Sequence, residues 1–94
     1  MRVNESKLDR ALREAFAGTD AERRVVVRQA MDLADSGTVT RDRGVALTVD
    51  EIVRNLADAP DERVANRWNW WMGALDVAYG GYAAFQVRRY EKEE

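Results

Sequence analysis

Residues 68–71 read Trp-Asn-Trp-Trp and contain every tryptophan of this 94-residue chain. The chemistry that indole rings offer is binding, because they bury large apolar surfaces, pack against planar groups and donate one N–H hydrogen bond. On a helix with 3.6 residues per turn, Trp68 and Trp71 share one face while Trp70 points elsewhere. We therefore expect Trp68 and Trp71 in the core and a second partner surface for Trp70.

Three environments are open to the ring of Trp70. These are packing on the expected C-terminal strand, an interface between protein chains, and stacking on a ligand or a base. Aromatic and arginine side chains are common at binding hot spots. The residues that we expect in an interface are Trp70, Arg67, Arg63 and Tyr82.

Few other residues could carry out chemistry. The chain has no histidine and no cysteine, so the usual nucleophilic triads and zinc ligand sets are missing. Asp58, Asp61 and Glu62 suit helix capping better than a weak divalent-metal site. Asp76 is the single charge in residues 68–87, and we expect it to pair with a cation or face water rather than to catalyse. We predict no enzymatic activity, no catalytic residue, no metal and no cofactor.

Composition predicts one globular domain over residues 1–94, with a frayed tail at 91–94. The apolar fraction is 46% and the net charge is −2, so the chain lacks the strongly basic character of many nucleic-acid-binding domains. Without a signal-like start or a convincing spanning segment, we expect no membrane association. The lack of cysteine agrees with a cytoplasmic location.

Apolar periodicity predicts four helices. The second and third begin at the capping boxes Thr19/Glu22 and Thr48/Glu51. The fourth covers residues 61–79 and carries the three tryptophans. These helices must position the tryptophan cluster.

Two further segments have strand-like composition. Residues 38–47 predict a short strand or hairpin, and residues 82–90 predict a C-terminal strand that pairs with residues 45–47. Tyr82 and Phe85 also continue the 3.6-residue period of the fourth helix, but the Gly80-Gly81 pair favours a break. The expected fold class is therefore α+β, mainly α, with a winged-helix-like order.

The function that we predict is a non-enzymatic protein-interaction or self-association domain, most simply a homodimer, that uses residues 63–90. The alternative is a nucleic-acid-binding domain of winged-helix type with helix 61–79 as reader. Against it stand the acidic start of that helix and the absence of a basic stripe. Its candidate contacts to nucleic acid are Arg63, Asn66, Arg67 and Asn69.

Residues 67–73, followed by residues 78–82, resemble stretches in small uncharacterised proteins of halophilic archaea. The preference for arginine over lysine agrees with such a source. This resemblance implies an origin and no activity, so it assigns no functional residue.

Overall fold

The structure is a computed structural model, and it describes residues 3–88. Over these residues the chain forms five α-helices and one turn of 3₁₀-helix. They are α1 (Glu5–Ala15), α2 (Asp20–Ser36), α3 (Thr38–Arg43), α4 (Val49–Ala57), α5 (Val64–Tyr79) and the 3₁₀ turn Ala83–Phe85. None of the helices described is both long enough and apolar enough to cross a bilayer.

Side chains at the helix starts satisfy backbone N–H groups that have no partner within the helix. Thr19 and Glu22 form the full reciprocal capping box that the sequence predicts. At α4, Thr48 Oγ1 accepts a hydrogen bond from the Glu51 N–H at 3.1 Å, but the Glu51 carboxylate turns to Arg54 at 3.0 Å instead of back to Thr48. The second box is therefore only half formed.

The expected α+β class is wrong, because the described residues contain no strand and no sheet. Where a strand or hairpin was expected near residues 38–47, the chain forms α3 and then an irregular link. Gly37 and Gly44, both left-handed with φ of 71° and 73°, flank this helix. Val39 is buried in the core, so packing outweighs the strand preference of β-branched residues.

The expected C-terminal strand near residues 82–90 is wrong for the part that the structure describes. Residues 83–85 form the 3₁₀ turn, and Gln86 is extended without a partner strand. Residues 89 and 90, like the expected frayed tail 91–94, lie outside the described residues. Without either wing strand in residues 3–88, the winged-helix-like order is also wrong.

Helix α5 packs against α2, α4 and the 3₁₀ turn. Trp68 and Trp71 are buried and meet edge to face, with ring centroids 5.6 Å apart, a favoured aromatic geometry. Apolar residues from every helix complete this core, including Leu8, Leu12, Val26, Ala30, Leu33, Val39, Ile52, Leu56, Met72 and Leu75.

The link between α1 and α2 fixes the start of α5. Ala17 forms a parallel bridge with Arg63, in which the Val64 N–H donates to the Ala17 carbonyl at 2.8 Å. Gly18 permits this approach, because a Cβ atom there would lie 2.9 Å from Val64 Cγ1. Glu22, fully buried, accepts the Ala65 N–H at 2.9 Å, and so caps α5 from another helix.

Candidate functional site

The inner side of α5 carries Trp68 and Trp71. Trp68 has no exposed surface, and its Nε1–H donates to the Phe85 carbonyl at 2.8 Å. The prediction that Trp68 and Trp71 are core residues is confirmed. The hydrogen bond adds a role that apolar periodicity cannot indicate, because it holds a segment 17 residues further along the chain.

Asn69 holds the same segment by both ends of its amide. Its Nδ2 donates to the Val87 carbonyl at 2.8 Å, and its Oδ1 accepts the Val87 N–H at 2.7 Å. One side chain thus makes the pair of bonds that a neighbouring strand would make. We call Trp68 and Asn69 together the main-chain clamp, because all three of these bonds reach backbone atoms of residues 85 and 87.

Trp70 lies on the opposite side of α5, and 41% of it is exposed. Further exposed apolar residues follow it along the helix at the spacing of successive turns. We call this set the outer face of α5, and it comprises Trp70, Ala74, Val77 and Ala78. Val77 is 90% exposed. Tyr79 is 48% exposed but lies about half a turn around the helix from Trp70, so it is not part of this face.

A shallow groove of about 260 Å³ runs beside the outer face. The aromatic rings of Trp70 and Tyr79 lie along it, and Trp71 and Leu75 also line it. Its remaining lining residues come from α3, from α4 and its end, and from α5; they are Arg43, Asn55, Asp58, Ala74 and Ala78. The groove is therefore apolar on the α5 side, with a cation and an anion on the other.

The two arginines that we expected in an interface are engaged within the chain. Arg63 Nη2 forms an ion pair with Glu22 Oε1 at 2.5 Å, although the Arg63 side chain remains 46% exposed. Arg67 Nη1 donates to the Leu56 carbonyl at 2.8 Å, and its guanidinium lies 4.5 Å from the centroid of the Phe16 ring. Both cations therefore tie α5 to its neighbours.

Tyr82 lies inside the protein rather than at a surface. Its ring has no exposed area, its hydroxyl donates to Asp42 Oδ2 at 3.0 Å, and its N–H donates to Asp76 Oδ1 at 2.9 Å. Burial, reinforced by the Asp42 carboxylate, raises the pKa of Tyr82 to about 12. Tyr82 therefore has no place on the outer face. Asp76, which is half-buried, accepts a backbone N–H that we did not expect.

The four residues expected to contact nucleic acid also have internal partners. Arg63, Arg67 and Asn69 make the contacts given above, and Asn66 Nδ2 donates to Asp61 Oδ1 at 3.2 Å. A side chain that reads a base must give up such a partner or share it. Nucleic-acid binding stays a prediction, and salt-dependent binding of duplex DNA, measured by fluorescence anisotropy, would test it.

The acidic residues around the start of α5 act locally. Asp61 Oδ1 accepts the Arg63 N–H at 2.9 Å, and this backbone bond is the main reason that the pKa of Asp61 is lowered. No group of three or more side chains suited to a metal ion occurs in residues 3–88. The expected helix start at residue 61, with Asp61 as its cap, is wrong: α5 begins at Val64, its N-cap residue is Arg63, and that residue provides no side-chain cap. The Asp61 contact instead orders the turn before the helix.

Sequence reasoning missed Glu22 and Asn69 as structural determinants. The capping box already explained Glu22, which concealed its second role at α5, 43 residues away. Asn69 gave no signal of its own, because its partner is backbone and backbone is the same in every sequence. Ala74 and Ala78 were missed as surface residues, although a helical wheel centred on Trp70 would have placed them beside it.

One family model, that of the WNWW domain, matches residues 1–76. The chain belongs to the WNWW domain family. The four letters of that name are those of residues 68–71, which we now call the WNWW motif. The match takes in α1 to α4 and most of α5, and it ends before the segment that the main-chain clamp holds.

No curated protein and no solved structure matches the chain. The family match names no organism, so the resemblance to proteins of halophilic archaea stays a prediction. Membership of the WNWW family carries no activity with it.

Proposed function

We propose that this WNWW-family chain is a non-enzymatic self-association module, in which the outer face of α5 packs against the same face of a second copy. The observation that carries the proposal is the exposure of Trp70 at the head of a continuous apolar stripe. Contiguous exposed apolar surface on a small protein commonly marks an interaction site. Tryptophan is also the residue type most enriched at binding hot spots.

The order of large and small side chains favours a second copy as the partner. A two-fold interface brings the same patch of both chains together. If two α5 helices cross antiparallel at Ala74, position 70 of one chain faces position 78 of the other. The large ring of Trp70 then meets the small Ala78, and Ala74 meets itself at the centre, where small residues allow the helices to approach closely.

The charges beside the groove agree with this arrangement. The outer face itself has no charged residue, while Arg43 and Asp58 line the groove next to it. A face that carries both signs at its rim can meet its own copy without net repulsion. A strongly acidic or basic partner has no matching surface here. The cytoplasmic location expected from composition is part of this proposal and stays a prediction.

The test is the oligomeric state of Trp70→Ala and Ala74→Glu, measured by sedimentation equilibrium. We expect wild type to be dimeric at tens of micromolar. Truncating a hot-spot tryptophan costs about 2 kcal/mol or more, which is about 30-fold in affinity. Trp70→Ala removes one ring from each chain of a two-fold dimer, so it should weaken the dimer by about 1,000-fold. Ala74→Glu should abolish it, because two carboxylates would meet at the two-fold axis.

The matched control is Ala15→Glu, which makes the same change at an exposed residue of α1. It should leave both the dimer and the free energy of unfolding unchanged. A wild-type chain that stays monomeric at tens of micromolar rejects the proposal. So does a Trp70→Ala variant that loses stability while associating as before, since the ring would then serve the fold.

A further inference from the structure

We propose that residues 82–88 form an exchangeable segment, which a second copy of this chain can accept on its own main-chain clamp. We call residues 82–88 the C-terminal segment and Gly80-Gly81 the hinge. The partner is another copy of the chain, and the contact is the one already made within a single chain. The exchange does not require the outer face of α5, so it is independent of the proposed function.

The clamp and the segment lie on opposite sides of the hinge. Trp68 and Asn69, on α5, provide the three hydrogen bonds to Phe85 and Val87. The further partners of the segment, Asp42 and Asp76, also precede the hinge. A segment from a second copy can therefore restore every one of these contacts, which is the condition that makes domain swapping inexpensive.

The bonds of the clamp reach only main-chain atoms. Phe85 and Val87 are held through a carbonyl and an N–H, while the side chains of Phe85 and Gln86 remain only half-buried. The side chains of the segment thus affect how tightly it is held chiefly through Tyr82 and Val87, which are buried. The clamp lies within the residues matched by the family model, whereas the segment lies beyond them.

The hinge decides whether the segment folds back. Gly80 has φ 80° and ψ 154°, and Gly81 has φ 87°, backbone geometry that residues with a Cβ rarely adopt. A Cβ at either position would meet nothing within 4 Å, so the requirement for glycine is conformational and not steric.

Two singly substituted chains test the exchange with the natural hinge. A Cβ at position 73 would lie 3.9 Å from Gln86 Nε2, and the chain has no cysteine of its own. One chain carries Gly73→Cys and the other Gln86→Cys. They are unfolded together, refolded at high concentration and treated with a short bismaleimide. A covalent heterodimer joined between positions 73 and 86 is the product expected when the segment of one chain lies on α5 of the other.

Variants of the hinge and of the clamp should change the yield of the 73–86 product in opposite directions. Introducing Gly80→Ala and Gly81→Ala into both chains disfavours the positive φ angles, so the yield of this product should rise several-fold. Asn69→Ala in both chains should reduce it several-fold, because the clamp is lost. Replacing Gly73→Cys with Ala15→Cys, on another helix, is the matched control and should give little product.

Each of these cross-linking experiments has an outcome that contradicts segment exchange. The proposal is overturned if neither hinge gives the 73–86 product above the Ala15→Cys control, or if Asn69→Ala leaves its yield unchanged. Ala74→Glu separates exchange from outer-face association. Exchange predicts that the product persists in this variant, and its loss would show that outer-face contact alone had brought the chains together.

Discussion

At the scale of single residues, Glu22 shows how one side chain joins two distant parts of the fold. Its carboxylate is fully buried, closes the capping box of α2, accepts the Ala65 N–H and pairs with Arg63. These bonds place the start of α5, and therefore the WNWW motif, against α2.

Glu22→Gln keeps the shape of the side chain and removes its charge. We expect the free energy of unfolding to fall by about 2 kcal/mol, since hydrogen bonds to a charged group are worth ~1.5–3 kcal/mol. Urea denaturation measures the change. Glu14→Gln, at an exposed position of α1, is the control and should change stability by less than about 0.5 kcal/mol. Equal effects of the two substitutions would refute the role assigned to Glu22.

Asn69→Asp tests the main-chain clamp. The change replaces the Nδ2 donor with an oxygen that faces the Val87 carbonyl, so we expect a loss of about 1–3 kcal/mol in the free energy of unfolding. Asn4→Asp is the matched control, because asparagine and aspartate are equally good at a helix N-cap. Heteronuclear NMR should also show the Trp68 indole N–H signal shifting in Asn69→Asp. An unshifted signal with unchanged stability would contradict the clamp.

Tyr82 predicts how stability responds to alkaline pH. Burial, with the Asp42 contact, raises its pKa from 10.0 to about 12 in the folded state. A pKa that is higher in the folded than in the unfolded state gives stability that is complete below pH 10 and is lost as the pH rises toward 12. Chemical denaturation of wild type should show this fall, and Tyr82→Phe should reduce it. Tyr79→Phe, which removes a hydroxyl from a half-exposed ring, is the control and should retain the wild-type fall.

At the scale of elements, local pattern predicted the helices well and the strands wrongly. Helical geometry alone predicts that Trp68 and Trp71 share one face and that Trp70 lies on another. Residues 38–43 have β-branched side chains, but the burial of Val39 between two left-handed glycines makes this segment a helix. Val87 is held by the side chain of Asn69, and hydrophobic periodicity does not reveal such a side-chain-to-backbone contact.

Two glycines give opposite predictions at this scale. Gly44 is left-handed, with φ 73° and open space around a Cβ, so Gly44→Ala should lower the free energy of unfolding by about 1–2 kcal/mol. Gly73 lies within α5, and a Cβ there meets only Gln86 Nε2, at an ordinary 3.9 Å. Gly73→Ala should therefore raise stability by about 0.5–1 kcal/mol. Chemical denaturation of both variants measures the two changes in the free energy of unfolding. Changes of the same sign would contradict the left-handed conformation of Gly44 or the helical conformation of Gly73.

At the scale of the whole molecule, the WNWW motif serves two sides of one helix. Trp68, Asn69 and Trp71 face inward and hold the core and the C-terminal segment, while Trp70 faces outward beside the groove. The sequence indicated that Trp70 needs its own surface. It did not indicate that Arg63, Arg67 and Tyr82 are occupied within the chain, because their partners lie on other elements.

The most direct test of self-association follows the three indoles in the unmodified sequence. With 5-fluorotryptophan incorporated, ¹⁹F NMR gives one signal per ring, each assigned by a single Trp→Phe variant. Solvent exposure is then measured from the H₂O/D₂O shift as concentration rises. We predict that the Trp70 signal moves and becomes protected, while those of Trp68 and Trp71 stay buried throughout. A Trp70 ring that remains equally exposed from micromolar to millimolar concentration would contradict the account.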